Sequence, residues 1–423
     1  MEKQILEGKK LLILAGGPDL VTLVKRAKEL GVYTIVSDFY DTDTSPAKLI
    51  ADEYWDISWS DLDALEYKCR EVGVDGITTG YSETPVEKCI ELCERLGFPC
   101  YCTRYQLDCT KNKRLFKETC RRNGVSTVKE YARKEDVDSY PVIVKPADRA
   151  GSIGVSIAEN VEELEKAYAY GMEMSYCKEV IIEQYITGTK VDVYYQIRNG
   201  EVTLLSTDGV INAKDNGHER VVQSAWCLPA YCHSLIVEKA DPALRRMIAD
   251  LGIRDGYLSV SGFEDHGELM FFECGFRLCG GHLYNYLEKM GHINNLDIFI
   301  YHALTGRTLD IQENGDINQN MKCVNINLYA KAGTVGCISG MEEIAAMDDC
   351  AFTLITGHVG QICHQDKAIL DKMGMYYFCS EDPEQLQKDA EKAYSLIRVQ
   401  DVDGNDMLYD RIDTNVISYW WNR

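Results

Sequence analysis

The sequence predicts an α/β protein whose N-terminal part is a parallel β-sheet covered by helices. Residues 10–100 alternate apolar runs with amphipathic segments in the order strand, helix, strand, helix. That order is typical of parallel sheets with right-handed crossovers. Two later stretches, residues 141–157 and 256–275, each predict two strands joined by a polar turn. With 423 residues, the chain has room for two or three domains.

The composition narrows the class of protein. A hydrophobic content of 45% and a charged content of 26% are typical of a soluble globular protein. No apolar run is long enough to span a bilayer, and the N-terminus does not begin a secretory segment. The formal net charge of −22 argues against a nucleic-acid partner, because phosphate backbones attract basic surfaces. We therefore expect a cytoplasmic protein that binds neither nucleic acid nor membrane.

The cysteines indicate a reducing compartment. The chain has 17 cysteines, an odd number, and they are scattered without a C-x-x-C pair. This spacing argues against zinc ligation and against a secreted disulfide framework. Cytosolic proteins keep such thiols reduced. Cys89 and Cys93, four residues apart on a predicted helix, are expected to be core residues.

The elements of residues 10–100 follow from apolar spacing and turn residues. The predicted strands are Lys10–Ala15, Tyr33–Ser37 and Asp75–Thr79. The first helix runs from Leu20 to Gly31 and the second from Leu62 to Val72. A third begins with Thr84 as its cap, Pro85 in the first turn and Glu87 closing a capping box. Ligands of such sheets bind beyond the carboxyl ends of the strands, here at Gly16, Asp38 and residues 80–83.

A glycine-containing hairpin at residues 141–157 predicts an anion site. The strand Val142–Val144 ends on Lys145, whose direction is fixed by Pro146. The turn carries Gly151, Ser152 and Gly154, and a second strand begins at Val155. Glycines let backbone N–H groups converge on an anion, and a serine adds a hydroxyl donor. The alternative from these residues alone is an ordinary hairpin with a solvated lysine.

A second cation precedes this hairpin. Thr110 is predicted to open a helix that ends at Asn123, which places Lys113 in its first turn. A lysine there opposes the helix dipole, so an adjacent anion would explain its position. Solvation is a stronger alternative explanation for Lys111 than for Lys113.

Three stretches in series resemble the ATP-grasp superfamily, in particular its branch of biotin carboxylase, carbamoyl-phosphate synthase and amino-acid ligases. They are the hairpin, the strand Val180–Glu183 with the turn after it, and the segment Glu268–His282. The resemblance covers most of the chain, and no P-loop motif occurs. It implies a Rossmann-like pre-ATP-grasp domain at residues 1–108, an ATP-grasp domain at 109–308 with its lid at 122–186, and a small β-rich C-terminal lobe at 309–423.

The resemblance also implies roles for individual residues. Those expected to contact ATP are Lys113, Lys145, Gly151, Ser152, Gly154, Val155, Glu183, Gln184 and Ile186. The family commonly binds the ribose through a glutamate at a position that is Lys190 here. Asp192, on the same face of the strand, could take over that contact. Glu273 matches the metal-bridging glutamate, and Arg277 matches the arginine that steadies the transferring phosphate.

One departure from the family pattern concerns the metal. The positions of the partner acid hold Ser259 and Ser261, and the asparagine expected two residues after Glu273 is Gly275. Mg²⁺ takes oxygen ligands, usually one or two carboxylates plus phosphate oxygens. The sequence therefore predicts a magnesium site with one protein carboxylate, which binds the ion more weakly or holds a single ion.

The predicted function is an ATP-dependent ligase that joins a carboxylate to an amine or similar nucleophile through an acyl-phosphate, with ADP and phosphate released. Ser82, Glu83 and His282 are the candidate substrate contacts. One alternative is a nucleotide-binding protein without activity. Another is a dinucleotide-dependent oxidoreductase, although residues 15–19 lack the G-x-G-x-x-G spacing. Trp420 and Trp421 predict a tail that packs on another surface, for example a second subunit of a homodimer.

Overall fold

The structure is a computed structural model that describes residues 3–149, 153–213, 222–308, 317–364, 371–409 and 411–422. Within these residues the helices are α1 Lys3–Leu6, α2 Leu20–Glu29, α3 Ala47–Ile50, α4 Leu62–Val72, α5 Glu83–Leu96, α6 Arg104–Lys111, α7 Lys113–Asn123 and α8 Val161–Met174. The later helices are α9 His233–Lys239, α10 Asp241–Asp250, α11 Tyr284–Met290, α12 Asn295–Thr305, α13 Met341–Ala345, α14 Pro383–Leu396 and α15 Asn415–Tyr419.

The strands form four sheets within the same residues. They are β1 Lys10–Leu14, β2 Tyr33–Ser37, β3 Glu53–Trp55, β4 Gly76–Thr78, β5 Glu130–Tyr131, β6 Val142–Pro146, β7 Ser156–Ala158, β8 Val180–Gln184, β9 Thr189–Arg198 and β10 Glu201–Asn212. The remaining strands are β11 Gln223–Leu228, β12 Gly256–Asp265, β13 Glu268–Gly275, β14 Lys322–Ala330, β15 Gly333–Ser339, β16 Cys350–Ile355, β17 Ile362–Cys363, β18 Asp371–Ser380 and β19 Arg398–Asp401.

The N-terminal sheet is parallel, as the sequence predicts. Its strand order is β3-β2-β1-β4, and β1 pairs in parallel with both β2 and β4. Leu12 and Leu14 of β1 and Ile77 of β4 are buried against α4 and α5, and Cys89 and Cys93 are core residues as expected. The carboxyl ends of the strands lead to Gly16 and to Asp38, whose carboxylate accepts the N–H of Gly16 at 2.9 Å.

Two predicted helix starts are wrong. Helix α5 begins at Glu83 after the extended residue Ser82, so Thr84 lies inside the first turn instead of capping it. The segment predicted to start at Thr110 is divided in two by Asn112. The extended backbone of Asn112 ends α6, and its side chain caps α7 by accepting the N–H groups of Arg114 and Leu115. Asparagine is among the best N-cap residues, which explains why the new helix starts there.

The central sheet has eight strands in the order β13-β12-β9-β10-β11-β14-β18-β16. All of its pairings are antiparallel. Strands from residues 322–380 therefore extend the sheet that carries the β12–β13 hairpin. A third sheet has the order β17-β15-β19.

The predicted glycine hairpin lies in the fourth sheet, which has the order β5-β8-β6-β7. Strands β6 and β7 pair antiparallel, with Val142 opposite Ala158. Gly154 has a φ of 75°, and a Cβ there would lie 2.7 Å from Met174 and from Pro146. Glycine is therefore required at this position. Gly151 and Ser152 lie outside the described residues.

The C-terminal tryptophans pack within their own chain. Trp420 is 1% exposed, and its ring meets Tyr231 edge-on at a centroid distance of 5.3 Å. A Cβ on Gly209 would lie 2.5 Å from the Trp420 ring, so the glycine makes room for it. The Nε1 of Trp421 donates to the Pro229 carbonyl oxygen at 2.7 Å. The tail thus joins α15 to β10 and to the loop after β11.

No described helix combines the length and hydrophobicity that crossing a bilayer requires.

We predict that Trp420→Ala lowers the free energy of unfolding by about 3–5 kcal/mol, because it removes a fully buried indole and leaves a cavity. Chemical denaturation measures this change. Tyr67→Ala is the control, since Tyr67 is 72% exposed and its loss should change stability by no more than about 0.5 kcal/mol. Equal stability of the two variants would contradict the packing described for the tail.

Candidate functional site

A cleft of about 930 Å³ lies where the carboxyl end of the N-terminal sheet approaches the central sheet. Its wall is formed by the start of α5, the junction of α6 and α7, the turn after β6, and the face of β9, β12 and β13. The polar side chains in this wall are Ser82, Glu83, Thr84, Glu87, Arg104, Asp108, Thr110, Lys111, Asn112, Lys113, Asp148, Arg149, Tyr176, Lys190, Asp192, Tyr194, Ser259, Ser261, Glu273 and Arg277. Its volume falls in the range of small-molecule sites.

A row of polar side chains crosses the floor of this cleft. Ser261 of β12 lies opposite Glu273 of β13 on one side and Asp192 of β9 on the other. Asp192 in turn lies opposite Asp208 of β10. Directly opposed residues of an antiparallel pair project to the same face of the sheet. The carboxyl groups of Asp208, Asp192 and Glu273 and the hydroxyl of Ser261 therefore form one row.

Lys190 supplies a positive charge to this row. Its ammonium lies 2.7 Å from Asp192, and the two side chains are 16% and 7% exposed. Burial lowers the pKa of Lys190, but Asp192 and Asp208 outweigh it, and the pKa is raised overall. Asp192 also accepts a hydrogen bond from Ser261. The Asp192 carboxylate is therefore already neutralised by the protein.

Glu273 differs from Asp192 because its carboxylate is exposed to the cleft. Among the described residues it takes part in no hydrogen bond and no ion pair. It is thus the carboxylate of the row that is open to an added cation.

Lys113 lies across the cleft from this row. Its ammonium donates to the backbone carbonyl of Arg149 at 2.9 Å, which joins α7 to the turn after β6. Burial lowers the pKa of Lys113, while the charge of Glu273 opposes that shift. An added anion would stabilise the charged form of Lys113, because the one hydrogen-bond acceptor of its ammonium among the described residues is an uncharged carbonyl.

Arg277 is held in place by Glu83. Its Nε and Nη2 atoms both lie 2.7 Å from Glu83 Oε1, and the side chains are 20% and 25% exposed. Glu83 occupies the first turn of α5, where the helix dipole favours a carboxylate. This ion pair connects the N-terminal sheet to the end of β13.

Comparisons with known proteins show which sequences and folds the chain is similar to. Residues 115–216 match the family model described as D-ala D-ala ligase C-terminus. Over 148 residues the chain is 34% identical to the N-terminal section of the carbamoyl phosphate synthase large chain of Methanopyrus kandleri, covering 34% of this chain and 26% of that protein. The chain therefore spans about a quarter of that relative's length.

Two solved structures share nearly the whole fold. The biotin carboxylase domain of Hydrogenobacter thermophilus 2-oxoglutarate carboxylase, solved as a dimer with MgADP, ADP and bicarbonate, covers 98% of this chain and 93% of its own, with a TM-score of 0.76 and 18% identity. The L-amino acid ligase of Bacillus licheniformis covers 93% and 99%, with a TM-score of 0.73 and 18% identity. The chain thus has the fold of the ATP-grasp biotin carboxylase domain and of the amino acid ligase, and residues 115–216 are similar to the D-ala D-ala ligase C-terminal domain. The proteins that it resembles are ATP-dependent ligases.

Not every residue matched to ATP-grasp positions lines the cleft in the described structure. Lys145 pairs with Glu183 at 2.6 Å, and its ammonium lies 5.5 Å from the Phe272 ring centre. Gln184 is exposed and Ile186 is buried at the end of β8. Gly154 and Val155 come directly before β7.

A buried charge cluster connects the hairpin sheet, which consists of β5, β8, β6 and β7, to α7. Glu183 bridges Lys145 and Lys117, and Lys117 also lies 3.0 Å from Glu130. Burial raises the pKa of Glu183, but Lys145 and Lys117 lower it by more, so it stays ionised. Lys117 was not predicted from the sequence. The feature that could have identified it is the presence of a lysine between Phe116 and Cys120 on the apolar face of α7.

His282 lies away from the cleft. It is fully buried, and its two ring nitrogens lie 2.7 Å from Asp19 and 2.6 Å from Tyr284. Burial lowers the pKa of His282 although Asp19 opposes the shift. Ser82 and Glu83, the other two predicted substrate contacts, line the cleft.

An inner cavity of about 290 Å³ adjoins the cleft through Tyr194, Cys279 and Gly280. The chemistry-bearing residues of its lining were not predicted from the sequence: Asp208, Asn325, Asn327, Tyr329, Lys372 and Tyr377.

Two ionisable groups in this cavity have pKa values far from their usual ones. Asp208 accepts from the Tyr194 hydroxyl, but its Oδ1 is buried without a partner among the described residues. Burial and the charge of Asp192 raise its pKa well above the usual value. Burial also lowers the pKa of Lys372 to about 8. Its ammonium lies 3.4 Å from the Gly280 carbonyl, near the opening to the cleft.

We predict that Glu183→Gln destabilises the protein by about 3–5 kcal/mol at neutral pH, because it leaves two buried lysines without their shared counter-charge. Unfolding by denaturant measures the loss. Glu165→Gln is the control, since Glu165 pairs with Lys134 at the surface and such pairs contribute at most about 1 kcal/mol.

The pH dependence of this difference follows from the lowered pKa of Glu183. Its stabilising effect is fully present above the ordinary value of 4.5 and is lost as the pH falls through the lower value in the folded protein. The stability gap between wild type and Glu183→Gln should therefore close in acid. A gap that persists after Glu183 is protonated would contradict the charge cluster.

Proposed function

We propose that this protein is an ATP-dependent ligase that activates a carboxylate as an acyl-phosphate and transfers the acyl group to an amine. The observation that carries the proposal is the open Glu273 carboxylate facing a cleft that also contains Lys113 and Arg277. A metal-binding carboxylate and two cations around one cleft are what phosphoryl transfer requires, because its catalysis is positioning and charge neutralisation.

The residues present fit ATP with one Mg²⁺ ion. Glu273 is the carboxylate free to accept a cation, and phosphate oxygens and water would complete an octahedral set. Ser259 and Ser261 offer hydroxyls at the positions where the family has an acid. The ammonium of Lys190 lies where Asp192 and Asp208 would otherwise attract a second cation. We propose that Lys190 takes the place of that second ion.

Each protein group has a distinct role in the proposed reaction. Bound Mg²⁺ would supply charge neutralisation for the phosphates of ATP. Lys113 binds phosphate oxygens, with Lys145 and the hairpin turn as further proposed contacts. The substrate carboxylate oxygen forms a bond to the γ-phosphorus while the bond between that phosphorus and the ADP oxygen breaks. The amine then bonds to the acyl carbon, phosphate leaves, and the amine loses a proton.

Arg277 is proposed to stabilise the acyl-phosphate. Its planar guanidinium can hold two oxygens at once. In the described structure both Nε and Nη2 point to Glu83, so binding of the more highly charged phosphate would compete with that carboxylate. Glu83 thus keeps Arg277 oriented before ATP binds.

We propose that the inner cavity holds the substrate to be activated, and that this substrate is a small molecule with a carboxylate and an amino group. Lys372, charged below its pKa of about 8, would bind the carboxylate near the opening. The unpartnered Oδ1 of Asp208 would accept from the amino group. The fold shared with an L-amino acid ligase supports this substrate class.

The second candidate function is nucleotide binding without turnover. It is favoured by the two serines in place of an acid and by the ion pair that occupies Asp192. Both candidates use the same cleft and differ only in whether a single magnesium ion supports phosphoryl transfer.

We also propose the domain division at residues 108 and 308, and a homodimer, because the structurally similar biotin carboxylase domain was solved as a dimer. All 17 cysteines are free thiols, which supports a reducing cytosol as the location.

The proposed function predicts ADP release when the protein is mixed with ATP, Mg²⁺ and pooled amino acids. Glu273→Gln should reduce this release to background and leave magnesium-free ATP binding unchanged, because the carboxylate serves the metal. Glu268→Gln is the matched control, since Glu268 lies at the other end of the same strand, outside the residues that line the cleft, and should not affect turnover. ATP binding without ADP release across the whole panel would favour the second candidate.

The role of Lys372 predicts a pH dependence. Lys372 is charged below about pH 8 and loses its charge above it, so kcat/KM for the activated amino acid should fall about tenfold at one pH unit above that value. ATP binding should change much less. In Lys372→Met, kcat/KM should already be low at neutral pH and should not decline further as the pH rises through 8. An unchanged profile in the variant would exclude Lys372 from substrate binding.

A further inference from the structure

Three cysteines come together where α5 packs against the N-terminal sheet. Cys89 and Cys93 lie one helical turn apart on α5, and Cys100 follows after the helix ends at Gly97. Their three sulfur atoms lie within 4.8 Å of one another. Cys89 and Cys93 are 2% and 1% exposed, while Cys100 is half-buried. Among the described residues this is the group of metal-ligating side chains that is close enough to share one ion.

The geometry matches that of a thiolate metal site. A zinc ion bound tetrahedrally at about 2.3 Å from each sulfur would place the sulfurs about 3.8 Å apart, which lies within the observed limit. No pair of these cysteines is separated by the two residues of the familiar zinc motifs, so the cluster is formed by the fold and is not visible as a sequence motif.

We propose that Cys89, Cys93 and Cys100 bind one Zn²⁺ ion as thiolates, with a water molecule as the fourth ligand. Three thiols lose their protons when the ion binds, and no electron is transferred. Tetrahedral zinc accepts three protein ligands with water in the fourth position. The half-buried Cys100 provides the path by which the ion enters.

The site would fix the segment that connects the N-terminal sheet to the cleft. Residues 97–102 lie between α5, whose first turn carries Glu83, and α6, whose residues line the cleft. The ion would bind α5 and this segment to each other. The proposed role is structural, so it is independent of whether the cleft has ligase activity.

The test uses the full-length protein, reduced and stripped of metal with a chelator. Cobalt(II) is the spectroscopic probe, since thiolate coordination gives an ultraviolet charge-transfer band and tetrahedral geometry gives intense visible bands. Zinc affinity is then measured by displacement of cobalt. We expect one equivalent of cobalt per chain with both signals, release of three protons, and a higher midpoint of thermal unfolding when zinc is added.

Variants separate this site from the other thiols. Cys93→Ser and Cys100→Ser should each lose the visible bands and weaken zinc binding by more than about 100-fold, beyond the range of outer-shell changes. Cys69→Ser is the matched control, because Cys69 is a buried cysteine of the same core, and it should bind as wild type does.

The proposal is overturned if wild type and Cys100→Ser bind cobalt alike, or if reduced wild type shows no thiolate band. It is also overturned if mild oxidation removes two thiols from this cluster as a disulfide and the reduced protein takes up no metal. Because Cys100 is half-buried, Cys100→Ser keeps the test decisive even if Cys93→Ser does not fold.

Discussion

The ion pair between Lys190 and Asp192 is the interaction on which the cleft depends. The chain has a formal net charge of −22, yet its proposed ligand is a polyanion, so positive charge must be concentrated locally. The central sheet does this by placing a lysine within a row that already contains three carboxylates. Without Lys190, Asp192 would lie near Glu273 uncompensated, and like charges in a low dielectric repel strongly.

The same principle of internal compensation appears at the hairpin sheet. Glu183 is 2% exposed and remains ionised because two lysines from different elements converge on it. Such a cluster stabilises little compared with an apolar core of the same volume, but breaking it is costly. Its effect is to specify one arrangement of β8, β6 and α7. That arrangement sets where Lys113, one turn before Lys117, can reach the cleft.

The fold was largely predictable from the sequence, and the details of the site were not. Alternating strands and helices predicted the parallel sheet, since periodicity is a local property of the chain. The α6–α7 break at Asn112 was missed because one capping side chain decided it. Asp208 and Lys372 were missed because nothing near them in sequence marks them, and only the strand register of the central sheet brings them to one cavity. The cysteine cluster closes through tertiary packing, which no spacing rule contains.

The contact between Arg277 and Glu83 shows why the N-terminal sheet belongs to the site. Arg277 follows β13 of the central sheet. Glu83 lies 194 residues earlier in the chain, at the start of α5, which packs against the parallel sheet. A helix N-terminus is a favourable place for an anion, and here a carboxylate occupies it while holding the arginine. An oxyanion that binds Arg277 as proposed would compete with Glu83 for the guanidinium. We therefore expect occupancy of the cleft to affect the position of α5.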